Sequence, residues 1–125
     1  MRNTGATAPL SVLIVEDEPL IAMMLEDFVE GLGYRTAGTV DSVEDALVRV
    51  NEGDFDVAIL DVQLRDGEAC WPVADALREK GVAFILASGG HLDPLPLQHA
   101  GVGQLSKPFT LAAVKSAIEG IVADR

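Results

Sequence analysis

Val57-Ala58-Ile59-Leu60 is an uninterrupted apolar run that ends in a carboxylate, Asp61. It is short enough to be a strand buried on both faces of a parallel sheet. In an open α/β sheet, ligands bind in the crevice beyond the carboxyl ends of the strands. An acid delivered to that edge is either functional or an expensive accident. The rest of the chain has to say what else arrives there.

Similar short runs recur along the chain, separated by stretches of helical periodicity. Leu10 to Val15 predicts a first buried strand, followed at once by Glu16-Asp17-Glu18-Pro19. Proline suits a first helical turn, and acids at that end favour the helix dipole. Ile21, Met24, Leu25, Phe28 and Leu32 then mark one face of a helix that Gly31 and Gly33 stop. Tyr34 to Val40 predicts a weaker strand, placed near an edge by Arg35, Thr36 and Gly38. Asp41 and Glu44 have capping-box spacing ahead of a helix that buries Val43, Ala46, Leu47 and Val50 and ends at Gly53.

Phe55 to Asp61 is the third strand, and Arg65-Asp66-Gly67 the turn after it. A helix from Trp71 to Lys80 ends at Gly81, and Val82 to Ser88 is a fourth strand closed by Gly89-Gly90. Pro94 and Pro96 make any helix between His91 and Gly101 short or irregular. Val102 to Ser106 is a brief fifth strand leading to Lys107-Pro108. Thr110 caps a last helix that buries Leu111, Val114, Ile118 and Ile121. This alternation predicts an α/β fold, a five-stranded parallel sheet covered on both faces. A flexible tail over 1–8 and a single domain over 9–124 follow from the same reading.

Charge and cysteine content narrow the function. At 125 residues, 49% hydrophobic and 23% charged, the chain has the composition of one globular domain. With 20 acidic against 9 basic residues its net charge is -11, which argues against nucleic acid as a direct partner. The lone Cys70 rules out an internal disulfide and a cysteine-rich zinc site, and no histidine near it in sequence makes it a nucleophile. No apolar run approaches the roughly 18 residues of a membrane span. Residues 1–9 lack the apolar core of a signal peptide. A cytoplasmic protein is the expectation.

Four strand ends carry chemistry to one side: Glu16-Asp17 after the first, Asp61 ending the third, Ser88 ending the fourth and Lys107 after the fifth. Three clustered carboxylates repel unless a cation joins them, and a hard divalent ion such as Mg²⁺ suits oxygen ligands. Lys107 adds a positive point charge, and Ser88 a hydroxyl able to bond an incoming oxygen. Taken singly, each has a plain structural explanation: acids opening a helix, a turn serine, a solvated lysine, an aspartate capping a turn. Arriving together at alternating strand ends, they are the parts for phosphoryl transfer onto Asp61.

With those residues in view, the chain resembles the CheY-like receiver domain of two-component response regulators from Leu10 to Val122. The motifs that carry the resemblance are Val15-Glu16-Asp17-Glu18, Leu60-Asp61-Val62 with Asp66-Gly67, Ala87-Ser88-Gly89 and Lys107-Pro108-Phe109. The resemblance implies a flavodoxin-like (βα)5 fold with strand order 2-1-3-4-5. It implies that Glu16, Asp17 and Asp61 hold Mg²⁺ with the backbone carbonyl of Gln63. Asp61 then accepts a phosphoryl group from a histidine kinase, Ser88 and Lys107 bind its oxygens, and the bond before Pro108 is cis.

Two departures bear on the output. The aromatic residue that such domains carry three positions before the lysine is here Gln104. Ala83-Phe84-Ile85-Leu86-Ala87-Ser88-Gly89-Gly90 looks like the Phe-Ala-Thr-Gly motif of a subgroup without that aromatic, one associated with kinases of the HWE class, with Leu86 and Ser88 replacing its Phe and Thr.

The leading expectation is a stand-alone phosphoacceptor switch, not an enzyme beyond its own phosphoryl transfer and autodephosphorylation, acting on a downstream protein target or phosphotransfer protein. That expectation rests on a length that fits one domain and on the complete acidic, Ser and Lys set. The alternative is a receiver that docks a kinase, or serves as a phosphate sink, without a conventional switch. An aspartyl phosphatase is disfavoured because Gln63 stands where the second acid of an Asp-x-Asp pair is needed. A nucleotide or flavin site lacks its glycine loop. Trp71 reads as a helix residue packed on the sheet, and His91 and His99 as solvated loop residues.

Overall fold

The computed structural model of the chain describes residues 10–62, 64, 69–88, 103–106 and 109–123, with the side chains of 88, 103, 104, 106, 122 and 123 outside that description. In order, the elements are β1 (Ser11–Val15), α1 (Pro19–Gly31), β2 (Arg35–Val40), α2 (Val43–Glu52), β3 (Val57–Asp61), α3 (Trp71–Lys80), β4 (Ala83–Ser88), β5 (Gly103–Ser106) and α4 (Leu111–Ala123). The five strands form one sheet in the order β2-β1-β3-β4-β5, every pair parallel. The irregular helix expected over 91–101 lies outside the described residues.

Strand alternation divides the core in two. Leu13, Val15, Ala58, Leu60, Phe84 and Leu86 point to the side of α2 and α3, where they meet Val43, Ala46, Val50, Val73, Ala74 and Leu77. Val12, Ile14, Ile59, Ile85, Ala87 and Leu105 point the other way, onto Leu25 and Val29 of α1 and Val114 and Ile118 of α4. Because both faces are covered, the strands read as continuous apolar runs rather than alternating ones. Truncating a residue such as the fully buried Leu77 therefore removes packing that no solvent contact replaces.

Local signals place the helix ends, with some shifts. Pro19 opens α1, and Gly53 and Gly81 close α2 and α3 in the left-handed conformation at φ 67° and 72°. The cap of α2 is Ser42, one residue later than the expected Asp41: its hydroxyl accepts from the Asp45 N–H at 3.1 Å. A serine there satisfies one of the free amides of the first turn. The buried line of α1 is Ala22, Leu25 and Val29, while Ile21, Met24, Phe28 and Leu32 flank it half-buried. The small and branched residues sit nearest the sheet, and the longer side chains reach in from the sides. Thr110 caps α4 as expected, its Oγ1 accepting from the Ala113 N–H at 3.0 Å. Leu111, expected in the core, is instead 46% exposed, because it begins α4 and the buried line starts a turn later at Val114.

The edge strand β2 carries a bulge. Val12 pairs with Thr36 but Leu13 pairs with Gly38, so Ala37 is an extra residue on β2. The extra residue reverses the phase of alternation. Thr36 and Thr39 thereby both face α1, where their hydroxyls donate to Glu30 Oε2 at 3.5 Å and Glu26 Oε2 at 2.5 Å. Val40 turns into the core on the side of α2 and α3.

The capping assignment has a direct check. Ser42→Ala is expected to lower unfolding free energy by about 1 kcal/mol in urea titration, with Ser42→Asp close to wild type. No loss in the alanine variant would contradict the cap.

Candidate functional site

Register alone brings two acids together. Val15 of β1 pairs with Leu60 of β3, so the next residues, Glu16 and Asp61, leave the sheet side by side. Alternation sends both toward the α1 side, since Ile14 and Ile59 already point there. Both are buried, Glu16 to 2% exposure and Asp61 to 6%. Asp17 follows in the turn before α1, and each of the three carboxylates offers an oxygen within 4.8 Å of the others.

The backbone around the acids is tied down. The Glu16 N–H donates to the Val40 carbonyl of β2 at 3.0 Å, and Glu16 Oε2 accepts from the Glu18 N–H at 3.1 Å. On the other side of Asp61, the Val62 N–H donates to the Ala87 carbonyl of β4 at 2.8 Å. Asp61 itself pairs in register with Ala87, which sets the backbone of Ser88 one position further along the same edge. Ser88 pairs in turn with Ser106, the residue before Lys107 in the chain.

Three carboxylates held this way have a plain electrostatic consequence. Two unit negative charges about 5 Å apart repel by roughly 3 kcal/mol at the effective dielectric of a protein site. A small doubly charged cation with oxygen ligands relieves that repulsion for all three at once. The donor set fits such an ion: all oxygen, no sulfur or imidazole. It is the one group of three or more candidate ligands among the described residues.

Of the residues expected at the site, the structure brings Glu16, Asp17 and Asp61 together. It places the backbone of Ser88 at the end of β4, as expected. Gln63, Lys107, Pro108 and the Asp66-Gly67 turn lie outside the described residues, as do Pro94, Pro96, His91 and His99. The side chains of Ser88 and Gln104 do as well.

One neighbour was not legible in the sequence. Cys70, just ahead of α3, is fully buried, and its N–H donates to the Val62 carbonyl at 3.0 Å. Burial, and after it the charge of Asp61, pushes its thiol from an ordinary 9.0 up to about 12. The thiol is therefore kept neutral and out of nucleophilic chemistry. Only the fold could reveal it, because the return of the chain from β3 to α3 sets that distance.

Comparison with known proteins gives a consistent picture. The family model of the response regulator receiver domain matches residues 12–119. The phyllosphere-induced regulator PhyR of Methylorubrum extorquens is 36% identical over 127 residues, a match covering 94% of this chain and 45% of that protein. The chain thus spans about half the length of that relative. The solution structure of SdrG from Sphingomonas melonis Fr1 superposes with a TM-score of 0.83 at 48% identity, covering 93% of this chain and 98% of that one. A solution structure of the BeF3-activated conformation of SdrG gives a TM-score of 0.79 at 49% identity, covering 92% and 98%.

The buried thiol yields a pH prediction with a definite sign. Below pH 9 the thiol is protonated in both folded and unfolded chains and contributes nothing. Between pH 9.0 and about 12 the unfolded chain ionises first, so stability falls as pH rises. Cys70→Ala is expected to flatten that fall in urea titrations across this range. At pH 8 the folded protein should resist iodoacetamide, and reaction at the rate of the urea-unfolded chain would contradict the burial.

Proposed function

The chain belongs to the family of response regulator receiver domains, matched over residues 12–119, and on that footing we propose that Asp61 is its phosphoryl acceptor. As a receiver domain it serves two-component signalling, and it is a signalling domain rather than a classical enzyme. The observation that carries the proposal is the convergence of Glu16, Asp17 and Asp61 at the carboxyl edge of β1 and β3.

In this reading, one domain over 9–124 takes a phosphoryl group from the phosphohistidine of a histidine kinase. An oxygen of the Asp61 carboxylate attacks phosphorus, the nitrogen–phosphorus bond breaks, and the imidazole nitrogen leaves and takes up a proton from solvent. Asp61 becomes an acyl phosphate, which water later hydrolyses to carboxylate and inorganic phosphate. Glu16, Asp17 and Asp61, with the backbone carbonyl of Gln63, are the residues to hold Mg²⁺. That ion supplies neutralisation of charge on the phosphoryl oxygens. Ser88, which ends β4, and Lys107, which follows Ser106 of β5 in the chain, are the residues proposed to bind the phosphoryl oxygens.

The phosphoryl group adds roughly -1.5 to -2 charge at a buried edge already rich in acids. Lys107 and Ser88 are the groups proposed to answer that charge. The domain's output runs without an aromatic at Gln104. The partial match of residues 83–90 to the Phe-Ala-Thr-Gly subgroup, with Leu86 and Ser88 in place of its Phe and Thr, supports a kinase of the HWE class. Among the described residues, no helix is long and apolar enough to cross a membrane.

A second reading is docking to the kinase without need of phosphate. It is supported by Leu20 and Met23, 73% and 53% exposed at the start of α1 beside the acids, where they offer apolar contact to a partner.

Incubation with Mg²⁺ and radiolabelled acetyl phosphate is expected to label wild type and leave Asp61→Asn unlabelled. Asp17→Asn should reduce labelling by about tenfold or more through loss of cation affinity. Equal labelling of wild type and Asp61→Asn would overturn the assignment. Unchanged signalling in cells carrying Asp61→Asn would favour docking alone.

A further inference from the structure

The bulge of β2 is held by a residue remote from the carboxylates. Arg49 of α2, with its side chain only 21% exposed, lies across the edge strand. Its Nη2 donates to the carbonyl of Ala37, the extra residue of the bulge. Gly38 makes this possible in two ways. Its backbone stands at φ +119°, and a Cβ at that position would come within 2.8 Å of Arg49 Nη1. A side chain there would be strained and would push the guanidinium off the strand.

The outer side of Arg49 is steadied by exposed acids, Asp54 at 3.2 Å and Glu52 at 3.7 Å. Such surface pairs contribute little by themselves. What they orient is the half-buried bond to Ala37.

The consequence reaches the acids through the register of β2. Because Ala37 is an extra residue, Val40 comes opposite Val15, and its carbonyl receives the Glu16 N–H. Without the extra residue, Thr39 would stand opposite Val15 and Val40 would leave the core. The Glu16 N–H would then face the Thr39 carbonyl in place of Val40, so a bulge free to shift leaves that backbone without a fixed acceptor. We propose that Arg49 and Gly38 form a latch that positions Glu16 for cation binding by holding the β2 bulge, an inference that rests on the reading of Glu16, Asp17 and Asp61 as the Mg²⁺ site. They are positioning residues, acting through Ala37 and Val40, and they touch neither the cation nor the phosphoryl group.

The sign of the expected effect separates it from simple electrostatics. Arg49→Met removes a positive charge, which by itself would strengthen binding of a cation. A weakening therefore reports lost positioning. Gly38→Ala leaves the charge unchanged and should act in the same direction.

The test combines two readouts on wild type, Arg49→Met, Gly38→Ala and Ile118→Val, the last a buried change on the opposite face. Amide hydrogen exchange at Glu16, followed by NMR, is expected to quicken about tenfold in the two latch variants beyond any change in Ile118→Val. Mg²⁺ titration of amide shifts should show about tenfold weaker binding in the same two variants. Glu16 exchange and Mg²⁺ affinity unchanged in folded latch variants, or changed equally in Ile118→Val, would overturn the latch. A wild type that does not bind Mg²⁺ would overturn the cation reading beneath it, whatever the exchange at Glu16 shows.

Discussion

The register of β1 against β3 is the constraint on which the rest of the molecule depends. Val15 opposite Leu60 sets Glu16 beside Asp61 at the point where the sheet ends. A slip of one residue would turn every apolar side chain of one strand to the wrong face and separate the two acids. The same hydrophobic burial that makes the sheet stable therefore also holds the carboxylates together. Their mutual repulsion is opposed by the packing of both cores and by the hydrogen bonds of the flanking backbone.

The two ends of the sheet are built differently. At the amino end, the Ser11 N–H donates to Asp56 Oδ2 at 2.8 Å, and Arg35 Nη2 donates to Ser11 Oγ at 2.8 Å. There a buried serine is satisfied by a carboxylate and a cation from neighbouring elements, and the arrangement is self-contained. At the carboxyl end, three acids converge within 4.8 Å. Like charges gathered this closely repel, and a cation is what would ease them. The contrast marks the carboxyl end, and not the amino end, as the candidate site.

Much of this was legible in residue pattern. The apolar runs gave the strands to within a residue or two, and Gly53, Gly81, Pro19 and Thr110 marked helix ends through backbone chemistry that is local. Features set by distant packing were not. The cap at Ser42 rather than Asp41 depends on where β2 releases the chain. The burial of Ala22 and Val29 in place of Ile21 and Met24 depends on the rotation of α1 against the sheet, which a broad apolar stripe leaves open. Leu111 follows the periodicity of its helix but stands a turn above the layer it was expected to join.

The sequence by itself determined the order of strands and helices, the covering of the sheet on both faces, and the delivery of Glu16, Asp17 and Asp61 to the same edge. These follow from short-range periodicity and from the rule that parallel strands present their ends together. Tertiary structure alone decided the bulge at Ala37, the reach of Arg49 over Gly38, the acceptor that Val40 offers Glu16 and the nearness of Cys70 to Asp61. Each is a contact between residues far apart in the chain. Which of them meet is set by how the elements pack, and no local preference encodes that choice.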